Sequence, residues 1–384
     1  MYKNRLVLHL LCLAAISGCS DNDSFEQRDT TPTCNLYKNR QYTDKAPEHL
    51  VPKVIDPIER EAFELCEEKA QQNDVYAIND LAIMYAKGQG VEQDIAKAIS
   101  LFKQAVDDDY AIAMYNLALM DRINIMRDSD DTIALLNKAI AKGHIESMTQ
   151  KGIVIRMRVG HYDDIKGAMQ LWEKAAEGGS EQAVLRLANV YIEGSYDDSF
   201  AKDYKKAYEL LEPLAKSGNT EAIIEIAHMY KEGLYVKKDY TKAYELYSKA
   251  ADLGYPAGKC FLAILYREGS GVSQDFKKAF ELLNSAASSG QSDAIFTLGL
   301  MYYDGEFVDK DLVKSCLYFK LAWLWGEYDM NNYSVVSDEL TEAQNAEVDK
   351  LFRKEIINLG FEDRRTMDLI GGLQKADREV EGNE

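Results

Sequence analysis

The residues that could do chemistry in this 384-residue chain are few and scattered. Beyond the first eighteen residues the histidines are His49, His144, His161 and His228, far apart in sequence. They form no HExxH zinc motif, and no GxSxG nucleophile turn is present. Ser100 and Lys103 have the SxxK spacing that can set a serine nucleophile beside a lysine base. They lie inside a helical stretch without companion motifs, and the match reads as coincidence. Asp128, Asp130 and Asp131 open like a calcium loop, but Ile133 stands where glycine is needed and Ala139 where a bidentate glutamate belongs. A helix-capping turn is the better reading. Six cysteines without a CxxC pair argue against a structural zinc site and against a disulfide-dense scaffold. The expectation is therefore no catalytic residue, no metal and no cofactor: not an enzyme.

Surface must then carry the function. Lys and Arg number 45 against 64 Asp and Glu, a formal net charge of −19. Nucleic acid and anionic membrane surfaces, which are bound through clustered Lys and Arg, are poor partners for such a chain. No apolar run reaches the ~18–20 residues of a membrane-spanning helix.

The amino terminus reads as an address. Lys3 and Arg5 precede an apolar stretch from Leu6 to Ile16, and Ser17-Gly18-Cys19 follow. A basic start, a short apolar core and small residues describe a secretory signal. The quartet Ile16-Ser17-Gly18-Cys19 also resembles the lipobox of bacterial lipoproteins. The resemblance implies cleavage before Cys19 and a lipid on its sulfur, with Ser20 favouring the outer membrane and a periplasm-facing body. On this reading residues 1–18 are the signal peptide and 19–56 a flexible tether, which holds Pro32, Pro47 and Pro52.

From residue 57 the elements that must position any surface repeat. The pattern Ala-x3-Leu-Ala-x2-Tyr-x2-Gly is set by Ala77, Leu81, Ala82, Tyr85 and Gly88, and recurs from Ala183, Ala222, Gly258 and Ala294. Weaker copies start at Ala113 and Ser147, and the seven starts lie 34 to 39 residues apart. Each copy has a second half, such as Lys97-Ala98, Phe102 and Ala105. Apolar residues at i, i+4, i+7 and i+8 predict an amphipathic helix in each half. Trailing glycines such as Gly143, Gly179, Gly218, Gly254 and Gly290 suit the left-handed residue that ends a helix. A hairpin of this size buries its apolar face only by stacking on further copies.

The pattern resembles the Sel-one-like repeat (SLR), a relative of the tetratricopeptide repeat. The loop residues Gly88, Gly90, Val91 and Asp94, and again Gly269, Gly271, Val272 and Asp275, strengthen the likeness. It implies an all-α fold, an α-solenoid of about seven helix-turn-helix repeats over 57–330, used for protein–protein contact. Glu59 to Ala70 reads as a lone second-half helix capping the first copy. Thr341-x2-Gln344 is a capping box opening a helix of the C-terminal cap, 331–370. Residues 371–384 read as a disordered charged tail.

In such hairpins the first-half helices line the concave face, where the columns of Asp80, Ile83 and Lys87 should point away from the partner helix. Across copies these columns hold Asn116 and Leu119; Arg186, Asn189 and Glu193; Glu225, His228 and Glu232; Phe261, Ile264 and Glu268; Thr297, Leu300 and Asp304. An acidic groove with apolar anchors suits a basic or amphipathic segment of a protein partner. The third copy departs from the pattern, with Lys151 and Ile155 at core columns and Arg156 and Arg158 following. It reads as degenerate, because a lysine at a core column is costly without a partner. Cys34 and Cys66 are candidates for a disulfide, whereas Cys260 and Cys316 read as two buried thiols.

The function that fits is an envelope lipoprotein that scaffolds or regulates periplasmic or outer-membrane proteins. Alternatives are a periplasmic inhibitor or regulator of a signalling or toxin protein, and a cell-wall or β-lactam hydrolase of the cysteine-rich SLR type. The chain lacks the cysteine pair in each repeat that the last would need.

Overall fold

The computed structural model describes residues 57–125, 130–157, 164–194, 201–324 and 331–358, and its regular elements are seventeen α-helices. The signal peptide, Cys19, the tether with Cys34, His49, Asp128, Arg158, His161 and the 371–384 tail lie outside the described residues. The described residues divide into two compact units, one up to residue 274 and one from 275 onward. The division falls inside the sixth copy, whereas the sequence reading ends the array only at residue 330.

In the first unit α1 (Pro57–Gln71) is the expected cap. Five hairpins follow it. They pair α2 (Val75–Lys87) with α3 (Ile95–Asp107), and α4 (Ala111–Ile125) with α5 (Asp130–Ala141). Next come α6 (Glu146–Met157) with α7 (Asp164–Glu177), and α8 (Glu181–Glu193) with α9 (Tyr204–Ser217). The fifth pairs α10 (Thr220–Glu232) with α11 (Tyr240–Asp252), and α12 (Pro256–Glu268) opens the sixth copy. The second unit holds α13 (Phe276–Ala287) and the hairpin of α14 (Ser292–Asp304) and α15 (Leu312–Leu324). It closes with α16 (Asn331–Asp338) and α17 (Glu342–Asn358), both packed on α15.

The loop aspartates explain the hairpin angle. Asp94 accepts from Lys97 N at 2.8 Å, which caps α3, while its own N–H donates back to Tyr85 O on α2 at 3.0 Å. Asp203, Asp239 and Asp311 repeat both bonds, donating to Tyr191 O, Tyr230 O and Tyr302 O. One side chain thus starts the second helix and ties it to the end of the first. The glycines at 143, 179, 218, 254 and 290 all adopt positive φ, as the sequence requires.

Between the helices of a hairpin the core columns close as the pattern demands. Ala98, Phe102 and Ala105 are fully buried, as are Ala243, Tyr247 and Ala250. Successive copies are joined by a recurring aromatic contact. Tyr85 meets Phe63 edge-on at 5.4 Å, Tyr266 meets Tyr244 at 5.8 Å, and in the second unit Tyr302 meets Phe280 at 6.0 Å. Such pairs add ~0.5–1.5 kcal/mol beyond their burial. The C-terminal capping box is formed: Thr341 N donates to Gln344 Oε1 at 3.0 Å and Gln344 N to Thr341 Oγ1 at 3.3 Å.

Candidate protein-binding face

The face built from the first-half helices is only partly the open surface its sequence suggests. The column of Asp80 also holds Asn116 and Gln150, and all three are buried, Asn116 completely. Asn116 Nδ2 donates to Asn79 Oδ1 at 3.0 Å, and Asn79 Nδ2 to Asp80 Oδ1 at 3.4 Å. Helices α2 and α4 lie against each other here, so this column is a seam between neighbours. Asn116 is therefore corrected from a partner-binding residue to a buried structural one, and Leu119, also buried, leaves the surface with it. Burial pushes the Asp80 carboxyl up to about 6, opposed by the Asn79 bond and reinforced by Asp74.

The seam opens between α8 and α12. Arg186 and Asn189 on α8, Glu225 and His228 on α10, and Phe261 and Ile264 on α12 are half-buried, while Glu193, Glu232 and Glu268 at the helix ends are exposed. Leu300, half-buried against the core of the second unit, and the exposed Asp304 sit on α14 and belong to that unit. The exposed acids are less free than their sequence implies. Glu193 is bound by Arg156 of α6, Glu232 pairs with Lys231 at 3.1 Å, and Glu268 accepts from the Ser270 hydroxyl at 3.3 Å. Arg156, which follows the third copy's irregular core columns, thus serves the fourth copy's rim.

Glu225 stands apart from these. Burial, then the carboxylates of Glu221 and Glu193, raise its carboxyl from 4.5 to about 7. Beside it on α10, burial lowers the pKa of His228, favouring the neutral imidazole. Tyr247 of α11 is completely buried, and its ring stacks on Phe261 at 5.2 Å. Its hydroxyl has no hydrogen-bond partner among the described residues. Burial and the charges of Glu225 and Glu232 hold the phenol protonated. Arg186 Nε and Gln150 Nε2 are likewise buried without a partner. The structure thus places Glu225, His228 and Phe261 on one face and adds Tyr247, which occupies the core column of Phe102. A hydroxyl in a column otherwise holding Phe102, Leu136, Trp172 and Leu211 was the available sign.

Cys66 is buried in α1, and its pairing with Cys34 lies outside the described residues. Cys260 and Cys316 are both buried, and burial pushes the Cys316 thiol up to about 12. Among the described residues no three His, Cys, Asp or Glu are placed to hold a metal, and no helix is long and apolar enough to cross a membrane.

Helical hairpins stacked through alanine-lined seams define an α-solenoid of the tetratricopeptide-like class. The Sel1 repeat model matches residues 75–110, 111–144, 158–180, 182–219, 220–255, 256–291 and 292–322, more than half of the chain. This chain belongs to the Sel1 repeat family, whose members bind protein partners and generally act as interaction scaffolds. The third match begins only at residue 158, which leaves out α6, the helix that carries Lys151 and Ile155.

Among solved structures, the chain is similar to a protective antigen of uropathogenic Escherichia coli strains that displays an SLR fold. The identity is 24% and the TM-score 0.58, over 82% of this chain and 67% of that one. It is also similar to a Sel1 repeat protein from Oxalobacter formigenes, at 23% identity and TM-score 0.50, over 76% and 80%. No curated protein matches the chain.

Proposed function

We propose that the chain is an envelope lipoprotein, lipid-anchored at Cys19 in the outer membrane and facing the periplasm, whose repeats scaffold or regulate other envelope proteins. It is not an enzyme on this reading. The observation that carries the binding role is the face between α8 and α12. There half-buried Phe261 and Ile264 lie on the same face as Glu225, whose carboxyl is acted on by burial and by the carboxylates of Glu221 and Glu193. A basic or amphipathic segment supplies what that face lacks, apolar contact at its centre and positive charge beside it. The address rests on Lys3, Arg5, the apolar run to Ile16 and the Ile16-Ser17-Gly18-Cys19 quartet.

Two experiments test the two halves. Metabolic labelling with palmitate should mark the wild type and not Cys19→Ser; equal labelling removes the anchor. Affinity capture from gently solubilised envelopes should yield a stoichiometric protein that Glu225→Lys with Glu232→Lys releases without unfolding the chain. Undiminished recovery removes this face from the reading.

A further inference from the structure

The loop inside a hairpin has a left-handed position two residues after the glycine that ends the first helix. The first and sixth copies fill it with Gly90 (φ 69°) and Gly271 (φ 73°). Neither has room for a side chain: a Cβ would fall 2.1 Å from Glu59 O and 2.3 Å from Tyr240 O. The fifth copy puts Tyr235 there at φ 64°, with Val236 N–H donating to Leu234 O across it at 2.7 Å. A left-handed backbone disfavours an aromatic residue, and so tight a turn is strained. Burial does not compensate, because Tyr235 is 53% exposed. Its ring leans on Tyr208 of α9 at 5.5 Å between centroids, so the two rings form one open platform. Lysines flank both rings in sequence: Lys205 and Lys206 before Tyr208, Lys237 and Lys238 after Tyr235, all exposed. Lys237 has no ion pair among the described residues, and Lys238 lies over the Tyr240 ring at 4.8 Å. The acids beside them are engaged, Asp203 and Asp239 as helix caps and Glu209 with Lys205 at 3.8 Å. In the second unit Phe307 takes the same position at φ 65° and leans on Phe280 at 5.5 Å. Its loop, however, carries Glu306 and Asp309 where the fifth copy has Leu234 and Lys237.

We propose that this edge of the fourth and fifth copies is a second docking surface, for an acidic segment of a protein partner that carries an aromatic or aliphatic residue beside its carboxylates. The apolar residue covers the rings of Tyr208 and Tyr235, and the carboxylates take up Lys237 and its neighbours. A strained, exposed ring costs the fold stability, and a partner that buries it supplies the return. A basic segment would meet like charge here, so this edge and the acidic face between α8 and α12 select segments of opposite sign. An anionic bilayer or nucleic acid offers the same charge, but over a broad surface that repels a body of net charge −19. A narrow segment meets only the charges within a screening length of ~8–10 Å, and here those include the lysines.

The test pans a displayed library of random linear peptides on the immobilised full chain. Wild type should enrich a family with Asp or Glu next to an aromatic or aliphatic residue. Tyr235→Gly gives the loop the residue of its sister copies, and should lose that family about tenfold or more, as removal of a hot-spot aromatic does. Lys237→Glu should lose it as well. Phe307→Gly, which removes the ring that lacks these lysines, and Glu225→Gln on the acidic face should both retain it. Circular dichroism melts should show Tyr235→Gly to be as stable as wild type or more so. No acidic family from wild type, or one that Tyr235→Gly leaves unchanged, overturns the surface while the acidic face stands. Loss in Glu225→Gln places the peptides on that face and overturns it too. Binding to phosphatidylglycerol vesicles that Tyr235→Gly abolishes, with no such peptide enriched, assigns the edge to lipid and overturns the protein segment. A Tyr235→Gly chain that melts well below wild type makes the ring a cover for Tyr208, which also overturns the proposal.

Discussion

The third and fifth copies place a polar aromatic in the same core column, and they treat it oppositely. In the third, the Trp172 indole donates to Thr149 O at 2.9 Å. It fits because Gly152 faces it, where a Cβ would come within 2.4 Å of Trp172 Nε1. The lysine that makes this copy look degenerate is also provided for, since Lys151 Nζ donates to Asn137 Oδ1 at 2.7 Å. The fifth copy keeps the pattern apart from Ile226 in the leucine column, yet among the described residues the Tyr247 hydroxyl has no hydrogen-bond partner, and burial and two carboxylates oppose the charge of Glu225. Irregular sequence here marks a repeat repacked around a larger side chain. Tyr247 and Glu225 lie in a repeat that looks ordinary.

The sharpest break in this comparison is Trp172→Ala. Truncating a completely buried indole should cost ~3–5 kcal/mol through lost burial and the cavity left behind. Urea denaturation followed by circular dichroism measures it. A loss below ~1 kcal/mol would mean that the third copy is not packed around Trp172.

Next is pH. With its carboxyl raised from 4.5 to about 7, Glu225 holds its proton in the native state where the unfolded chain has lost it. Between those values the native state binds more protons, so this group lowers stability as pH rises, and the deficit persists above pH 7. Glu225→Gln should match wild type below pH 4.5 and exceed it by ~1–2 kcal/mol at pH 8, the partial exposure reducing the full effect. The surrounding groups, Glu221, Glu193, Glu232, Lys231, His228 and Tyr247, are common to both proteins, so their own titrations largely cancel. Chemical denaturation across pH checks it, and parallel curves would remove the buried charge.

Removing only the polar handle separates the two copies by sign. Tyr247→Phe deletes a hydroxyl without a partner and should leave stability unchanged or raise it by up to ~1 kcal/mol. Trp172→Phe deletes a bonded donor and part of the ring, and should lower it. Thermal melts of the two variants give the comparison, and equal losses would mean that the Tyr247 hydroxyl is satisfied.

Most of the fold was legible because it rests on local, repeated chemistry. The Ala-Leu-Ala-Tyr-Gly spacing named the helices, the loop Asp named the hairpin, and Thr341 with Gln344 named the last helix start. The face was less legible because each column was read on a single hairpin. How closely α2 approaches α4 is decided by the stacking of copies, and that distance buries Asn116. Arg156 and Glu193 lie in different repeats, and nothing in the local pattern of either announces their pairing. Tyr247 was hidden for the opposite reason: it satisfies the core pattern by size, and only its unmatched hydroxyl sets it apart.

The smallest effect links the two copies. Arg156 on α6 holds Glu193, and Glu193 is one of the carboxylates acting on Glu225. Arg156→Ala removes a pair whose side chains are 36% and 57% exposed, so stability should change by less than ~1 kcal/mol. Glu193 then acts on Glu225 without its counter-charge, and the Glu225 carboxyl should titrate a few tenths of a pH unit higher. Carbon-13 NMR of the Glu225 carboxyl reads that shift directly. Added salt should shrink it, because the interaction runs partly through solvent. An unmoved titration would show that the third copy's arginine stabilises only its immediate neighbour and leaves the charge state of the fifth copy's face untouched.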